Sequence, residues 1–102
     1  MKFKIYQIKK ELVSTGTYLF MSYSYAKDHW FDIRDYEVVY EGEVEPGRYI
    51  EDTLENIFYN FNAKKPKDFN GHSLSISDII ELNSEFFYTE PVGFKSLGYD
   101  LL

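Results

Sequence analysis

YEVVYEGEVE, residues 36–45, alternates between two kinds of side chain with a period of two, and this stretch decides the fold class. A strand with that period places successive side chains on opposite faces. One predicted face carries Tyr36, Val38, Tyr40 and Val44, and the other carries Glu37, Val39, Glu41, Glu43 and Glu45. Pro46 and Gly47 then end the strand, because they form a turn signal. The stretch therefore predicts a half-buried strand with one strongly acidic face.

The segment after this strand has the pattern of an amphipathic helix. Asp52 and Glu55 have the spacing of a capping box, with Asp52 as the N-cap residue and Glu55 at N3. Four apolar residues then recur at helical spacing, and the pattern predicts that they form the buried stripe: Leu54, Ile57, Phe58 and Phe61. The helix is predicted to end near Asn62, before Lys64, Lys65 and Pro66.

The N-terminal third predicts a strand, a turn and a helix. Residues 2–8 alternate between polar and apolar side chains, as a half-buried strand does. Gly16 lies in a predicted turn, and residues 18–21 are a second short strand or the lead into a helix. A serine, Ser22 or Ser24, caps a helix that is predicted to run to about Trp30. Its packed face would carry Tyr23, Ala26 and Trp30.

The C-terminal third alternates again. Residues 72–82 predict a strand, the turn Asn83-Ser84 links it to residues 86–89 as a hairpin, and residues 94–97 resume the sheet after Pro91 and Gly93. Strands and helices do not follow the regular spacing of a parallel βαβ fold. We therefore expect one domain over residues 1–102, of the α+β class, with a mostly antiparallel sheet and one or two short helices packed on it.

Composition restricts the function more than it identifies it. Twenty of the 102 residues are aromatic, so rings must fill most of the core. The net charge of −6 argues against nucleic acid or an anionic membrane as the primary partner, because both select clustered lysine and arginine. The absence of cysteine, of a signal-peptide pattern and of a long apolar run favours a cytoplasmic protein.

The charge is concentrated in the middle of the chain. Residues 28–55 hold ten acidic residues against two arginines, whereas residues 1–27 hold five lysines against one glutamate. One interpretation is a solvated face that keeps an aromatic-rich protein soluble. The other is a surface that docks into a basic groove normally occupied by nucleic acid, with tyrosines supplying the strongest contacts. The candidate contact residues are Glu37, Glu41, Glu43, Glu45, Asp52, Tyr36 and Tyr40, with Tyr49 beside them.

Candidate catalytic groups are few. His72 has Ser73 beside it and Asp78 further along the chain, but on a strand the first two would point to opposite faces. We therefore expect His72 to be a turn residue. The sequence contains neither a Gly-rich phosphate loop nor a calcium loop, and its two histidines lack partners at metal-ligand spacing. No cofactor and no metal are expected.

Several segments together have a family resemblance. They are residues 35–43, then Phe58 and Phe61, then the motif NGHSLSISDIIEL at residues 70–82, and finally Tyr88 with Gly93 and Phe94. This set resembles the YodL-like domain over nearly the whole chain. The resemblance implies a setting on conjugative elements, plasmids and phages of Gram-positive bacteria, and it implies no established activity. Small acidic proteins of such elements are often inhibitors of host defence, by analogy of setting and composition.

These observations predict a non-enzymatic binding protein whose acidic third engages a basic nucleic-acid-handling protein. The target classes are a Cas9-type nuclease first and a restriction enzyme second. One alternative is an accessory module that binds a partner or a single strand during element transfer, through an aromatic sheet face. Another is a small enzyme centred on His72.

Overall fold

A computed structural model describes residues 1–15 and 18–101; the turn predicted at Gly16 lies outside them. The chain folds into a five-stranded antiparallel sheet with two helices packed on it, as the α+β prediction requires. The strands are β1 (Lys2–Ile8), β2 (Tyr36–Glu43), β3 (Ile79–Leu82), β4 (Glu85–Thr89) and β5 (Phe94–Gly98), and the helices are α1 (Tyr23–Ala26) and α2 (Ile50–Ala63). The strand order is β2-β1-β3-β4-β5, so β2 and β5 are the two edges.

One face of the sheet, called here the helix face, is covered by α2. Leu54, Ile57 and Phe61 from the helix pack against Phe3, Ile5, Ile80, Leu82 and Phe87 from the strands. Phe58 is only partly buried, with its ring 6.4 Å from that of Phe94. The predicted helical stripe is therefore confirmed for three positions, and Phe58 lies at its margin.

The opposite face, called here the loop face, is covered by the irregular segment 18–35. Tyr18, Ala26 and Phe31 from that segment pack with Tyr6, Ile8, Tyr36, Ile79 and Tyr88 from the strands. Tyr18 donates a hydrogen bond to the Asp35 carboxylate at 2.7 Å, and Tyr88 donates one to the Met21 carbonyl at 2.7 Å. Aromatic rings therefore fill this second core, as the composition predicts, with their hydroxyls bonded at its margin.

A β-bulge breaks the strict alternation predicted for residues 36–45. Ile5 pairs with Tyr40, but the next residue, Tyr6, pairs with Val38, so Val39 is an extra residue on β2. Because each added residue reverses the facing of the rest of a strand, Tyr36 lies on the loop face and Tyr40 on the helix face. The prediction that they share a face is wrong, and β2 ends at Glu43 rather than at Glu45.

Two other segments depart from the alternating or helical patterns. Residues 18–21 form neither a strand nor a helical lead, and α1 ends at Ala26, well before Trp30. Trp30 is 83% exposed and has a positive φ of 63°, which no helix residue adopts. Of the strand predicted over residues 72–82, only Ile79–Leu82 form a strand, and residues 72–78 are irregular. Leu74 is still buried there, because a loop packs it into the core on the helix face.

The hairpin and the main helix are close to their predicted positions. Asn83 and Ser84 have φ values of 53° and 75°, the left-handed pair that a tight two-residue hairpin turn needs. Helix α2 begins three residues earlier than predicted, at Ile50, with Tyr49 rather than Asp52 as the N-cap residue. Asp52 therefore occupies the third helical position, where its carboxylate accepts a hydrogen bond from the Tyr49 N–H at 3.1 Å.

Candidate functional site

The candidate site is the outer edge of the sheet, where four glutamates lie on or just beyond β2. This acidic edge consists of Glu37, Glu41, Glu43 and Glu45, all of them exposed. Strand β2 pairs only with β1, so its other side is an open sheet edge. The negative charge predicted for this stretch therefore lies at the surface, along the open side of an edge strand.

Lysines from β1 oppose part of this charge. Lys4 is paired in register with Glu41, and its Nζ lies 3.5 Å from the Glu41 Oε1, while Lys2 is paired with Glu43. The Lys4 and Glu41 side chains are 41% and 65% exposed, so the ion pair contributes at most about 1 kcal/mol. The repulsion between these glutamates is thus partly relieved by the neighbouring strand, and a lysine placed at position 41 or 43 would face Lys4 or Lys2 instead.

The bulge divides the acidic edge between two faces. Glu37 is paired with Gln7 on the helix face, whereas Glu41 and Glu43 are paired with lysines on the loop face. Glu45 lies beyond the last residue of β2. The prediction that all four share one face is therefore wrong, and the continuous part of the charged surface is the pair Glu41 and Glu43.

The tyrosines named with these acids have different environments. Tyr36 is 6% exposed and donates a hydrogen bond to the Ser77 carbonyl at 2.6 Å. Tyr40 packs its ring against Phe3, Phe61 and Phe69, with centroid distances of 5.8, 4.8 and 6.3 Å. Tyr36 therefore belongs to the core and is not free to contact a partner, whereas Tyr40 is only partly buried at the margin of the core. Tyr49, just beyond the acidic stretch, is 61% exposed.

His72, Ser73 and Asp78 do not form a catalytic triad. The His72 Nδ1 lies 2.7 Å from the Ser73 carbonyl, and the Gln7 side chain lies between the histidine and Asp78. In a triad, the acid must orient the base directly, and the base must reach the serine hydroxyl. His72 instead lies in an irregular segment before the turn at residues 76–77, with its ring hydrogen-bonded to a neighbouring carbonyl.

Gln7 holds the motif segment 70–78 against β1. Its Nε2 donates to the His72 carbonyl at 2.9 Å and to the Asp78 carboxylate at 3.0 Å, and its Oε1 accepts from the His72 N–H at 3.1 Å. A side chain at Gly71 would place a Cβ only 2.2 Å from that Oε1, so any other residue would displace the Gln7 amide from its hydrogen bonds. The glycine of the motif is therefore explained by the fold. Sequence reasoning missed Gln7, whose only signal is a polar residue on a buried strand.

Asp78 is the buried ionisable group of this network. Its carboxylate accepts hydrogen bonds from the Ser75 N–H at 2.9 Å and from Gln7, but its Oδ1 has no partner among the described residues. Burial raises the pKa of Asp78 from 3.8 to about 7, although these two hydrogen bonds oppose the shift. The group lies in the interior, so its protonation affects stability and it does not belong to a surface site.

Replacing His72 with alanine should change the protein little. The imidazole is exposed, and both of its backbone groups that bind Gln7 remain in the variant. We expect a loss below about 1 kcal/mol in the free energy of unfolding, as for surface substitutions, and unchanged partner binding. Urea unfolding and a binding titration measure both. A folded His72→Ala variant without activity would instead support an enzyme centred on this residue.

The part of the chain that the structure describes offers little for other chemistry. Within residues 1–15 and 18–101, no group of three His, Cys, Asp or Glu side chains is placed to hold a metal ion. A search of the same residues finds no helix with the length and apolar character needed to span a bilayer.

At the exposed turn beside β2, Arg34 lowers the pKa of Asp32 to about 2 by hydrogen bonding. That ion pair fixes the turn at the entry to β2.

No curated protein and no solved structure matches the chain. A family model does match, over residues 2–99, and it spans both the acidic edge and the motif segment that Gln7 binds. Because this match covers almost all of the chain, the protein belongs to the YodL-like domain family.

Proposed function

We propose that this protein is a non-enzymatic binding module that engages a basic nucleic-acid-handling protein through its acidic edge. The proposed targets are a Cas9-type nuclease first and a restriction enzyme second, with the protein acting as an inhibitor encoded on a mobile element. The observation that carries the proposal is the placement of four exposed glutamates along an unpaired strand edge. Opposite charge at such an edge speeds encounter and selects the partner.

The alternative of single-strand binding through an aromatic sheet face has less support. That mode needs exposed rings on a sheet together with a basic groove. Here α2 covers the helix face, segment 18–35 covers the ring-rich part of the loop face, and the open edge is acidic. Protein binding at the edge is therefore the function that the geometry supports best.

Neutralising the acidic edge should abolish binding without unfolding the protein. The variant changes three residues to glutamine: Glu41, Glu43 and Glu45. Glutamine keeps the size of each side chain and, unlike lysine, makes no like-charge contact with Lys2 or Lys4. We expect inhibition of DNA cleavage by a Cas9-type nuclease to be lost, and wild-type binding to weaken steeply with salt, since the screening length is about 8 Å at 0.15 M. A cleavage assay and a competition assay against target DNA measure these effects.

The matched control removes three charges elsewhere. Glu11→Gln, Asp68→Asn and Asp100→Asn change exposed carboxylates outside the acidic third, so the net charge changes equally. We expect this variant to bind as the wild type does. If both variants kept full activity, or if inhibitor and nucleic acid occupied the same target together, the acidic edge would be only a solvated surface.

A further inference from the structure

The N–H and C=O groups of Glu41 and Glu43 lie in the plane of the sheet and are directed away from β1, toward the open edge. The Met1 amino group donates to the Val44 carbonyl at 2.7 Å, and the Val44 N–H donates to the Met1 carbonyl at 2.9 Å, so these residues form a hydrogen-bonded pair. In an antiparallel ladder such pairs alternate with non-bonded pairs. Lys2 with Glu43 and Lys4 with Glu41 are therefore non-bonded pairs, whose N–H and C=O groups face away from each other.

The other side of β1 supports this assignment. The Lys2 carbonyl accepts a hydrogen bond from the Asn83 N–H at 3.1 Å, on the side of β3. Its partner Glu43 must then direct its own main-chain groups to the opposite side, which is the open edge of β2. Glu41 and Glu43, two alternate residues of β2, thus each present one main-chain donor and one main-chain acceptor at the open edge.

Side-chain charge alternates across the strands at the same place. On the loop face, one line of side chains crosses three strands: Glu81 of β3, Lys4 of β1 and Glu41 of β2. A second line beside it consists of Lys2 and Glu43. At the open edge of β2, each line ends with a glutamate. A further strand would lie about 4.8 Å beyond β2, and a basic side chain opposite each glutamate would continue the alternation.

Space is available on that face. A groove of about 430 Å³ lies over this end of the sheet, and its charged lining includes Lys2, Lys4, Glu41, Glu43 and Glu81. Segment 18–35 packs instead around Tyr6, Ile8 and Tyr36, toward the other end of β1 and β2. Long side chains entering beside Glu41 and Glu43 would therefore meet three glutamates interleaved with Lys2 and Lys4, and no covering segment among the described residues.

We propose that β2 accepts a short extended basic segment of the partner protein as a sixth strand, with lysine or arginine at alternate positions opposite Glu41 and Glu43. This inference rests on the proposed function and names its mode of recognition. The bulge at Val39 limits the regular pairing to the 41–43 half of the strand. A second copy of this chain fits poorly, because antiparallel self-pairing would place glutamates opposite glutamates.

The test uses a synthetic peptide, Thr-Val-Lys-Val-Lys-Val-Thr, and a control peptide methylated on the amides of both lysines. The two carry the same charge, but the control cannot donate the two main-chain hydrogen bonds. We expect it to bind at least about tenfold more weakly, since each lost bond is worth about 1 kcal/mol. Fluorescence polarisation gives the affinities, and amide chemical shifts should change at Glu41 and Glu43.

A pair of protein variants provides the reciprocal control. Glu43→Gln and Glu43→Pro remove the same charge, but only the proline removes the outward N–H, which β1 does not use. We expect Glu43→Pro to lower affinity for the unmethylated peptide at least about fivefold beyond Glu43→Gln. Circular dichroism confirms that both are folded. If Glu43→Pro does not fold, the comparison of the two peptides on the wild type still decides the question.

The outcomes separate the binding mode from the function. Equal affinity for both peptides, with loss of binding in the variant carrying Glu41→Gln and Glu43→Gln, would overturn strand addition and leave the acidic-edge function standing. Peptide binding that is weakened neither by amide methylation nor by the replacement of Glu41 and Glu43 with glutamine would overturn the proposed function as well. Light scattering that showed a dimer broken by Glu43→Pro would make a second copy the occupant and would also overturn the inference.

Discussion

Replacing Phe61 with alanine is expected to lower the free energy of unfolding by about 3–5 kcal/mol, which is the usual cost of removing a buried aromatic ring. Phe61 is 4% exposed, and its ring lies 4.8 Å from Tyr40, 5.0 Å from Phe69 and 5.9 Å from Phe3. These rings join α2 to β1 and β2. Because a domain of this size has about 5–15 kcal/mol of stability, the variant should be close to unfolding at 37 °C.

Two positions on the same helix provide controls for that measurement. Tyr59 is 59% exposed, so Tyr59→Ala should change stability by less than about 0.5 kcal/mol in urea unfolding. Phe58→Ala should fall between the two, because Phe58 is only partly buried. A loss below about 1 kcal/mol for Phe61→Ala would mean that α2 does not cover the helix face.

The regular elements could be predicted where local pattern and tertiary packing agree. Strand β1, helix α2 and the turn at Asn83-Ser84 each have a local cause: alternation, helical spacing and a residue pair that accepts positive φ. The strand order could not be predicted in the same way. It depends on β1 pairing with β3, which follows more than seventy residues later, and no local pattern records that contact.

Two stretches alternate in sequence without forming a regular strand throughout. Alternation in residues 36–45 continues through the bulge, because the extra Val39 is itself apolar and packs against the core on the helix face. Alternation in residues 72–78 has another cause: Leu74 is buried by packing, while Ser75 and Ser77 bind backbone and side-chain groups nearby. A period of two therefore records burial and hydrogen bonding, and a strand is only one structure that produces it.

The candidate site could be located from charge but not resolved from it. The glutamates were found because solvent exposure is the ordinary state of an unpaired carboxylate. The burial of Tyr36 could not be predicted from its position, since a tyrosine next to acids is equally compatible with a core ring whose hydroxyl finds a partner. The main-chain groups that face the open edge are set by the register between β1 and β2, which no local sequence pattern records.

Asp78 gives the second large effect, in the pH dependence of stability. Its pKa is about 7 in the folded protein, against 3.8 for the ordinary carboxyl group, because burial disfavours the charged form. Between these values the folded state holds a proton that the unfolded state has released. Stability from this group is therefore fully present below about pH 4 and is lost as pH rises toward 7.

Asp78→Asn isolates this contribution, because the amide keeps the shape of the side chain and cannot ionise. We expect the variant and the wild type to be similar in stability near pH 4, and the variant to be more stable by about 2–4 kcal/mol near pH 8, from a shift of about three pH units. Urea unfolding of both proteins at several pH values measures the difference, and the other carboxylates cancel because both chains contain them. Because the His72 ring contacts Gln7, the comparison is repeated with His72→Ala in both chains. A difference that stays constant from pH 4 to pH 8 would show that Asp78 ionises normally, and the network around Gln7 would then have to hold a buried carboxylate through its hydrogen bonds alone.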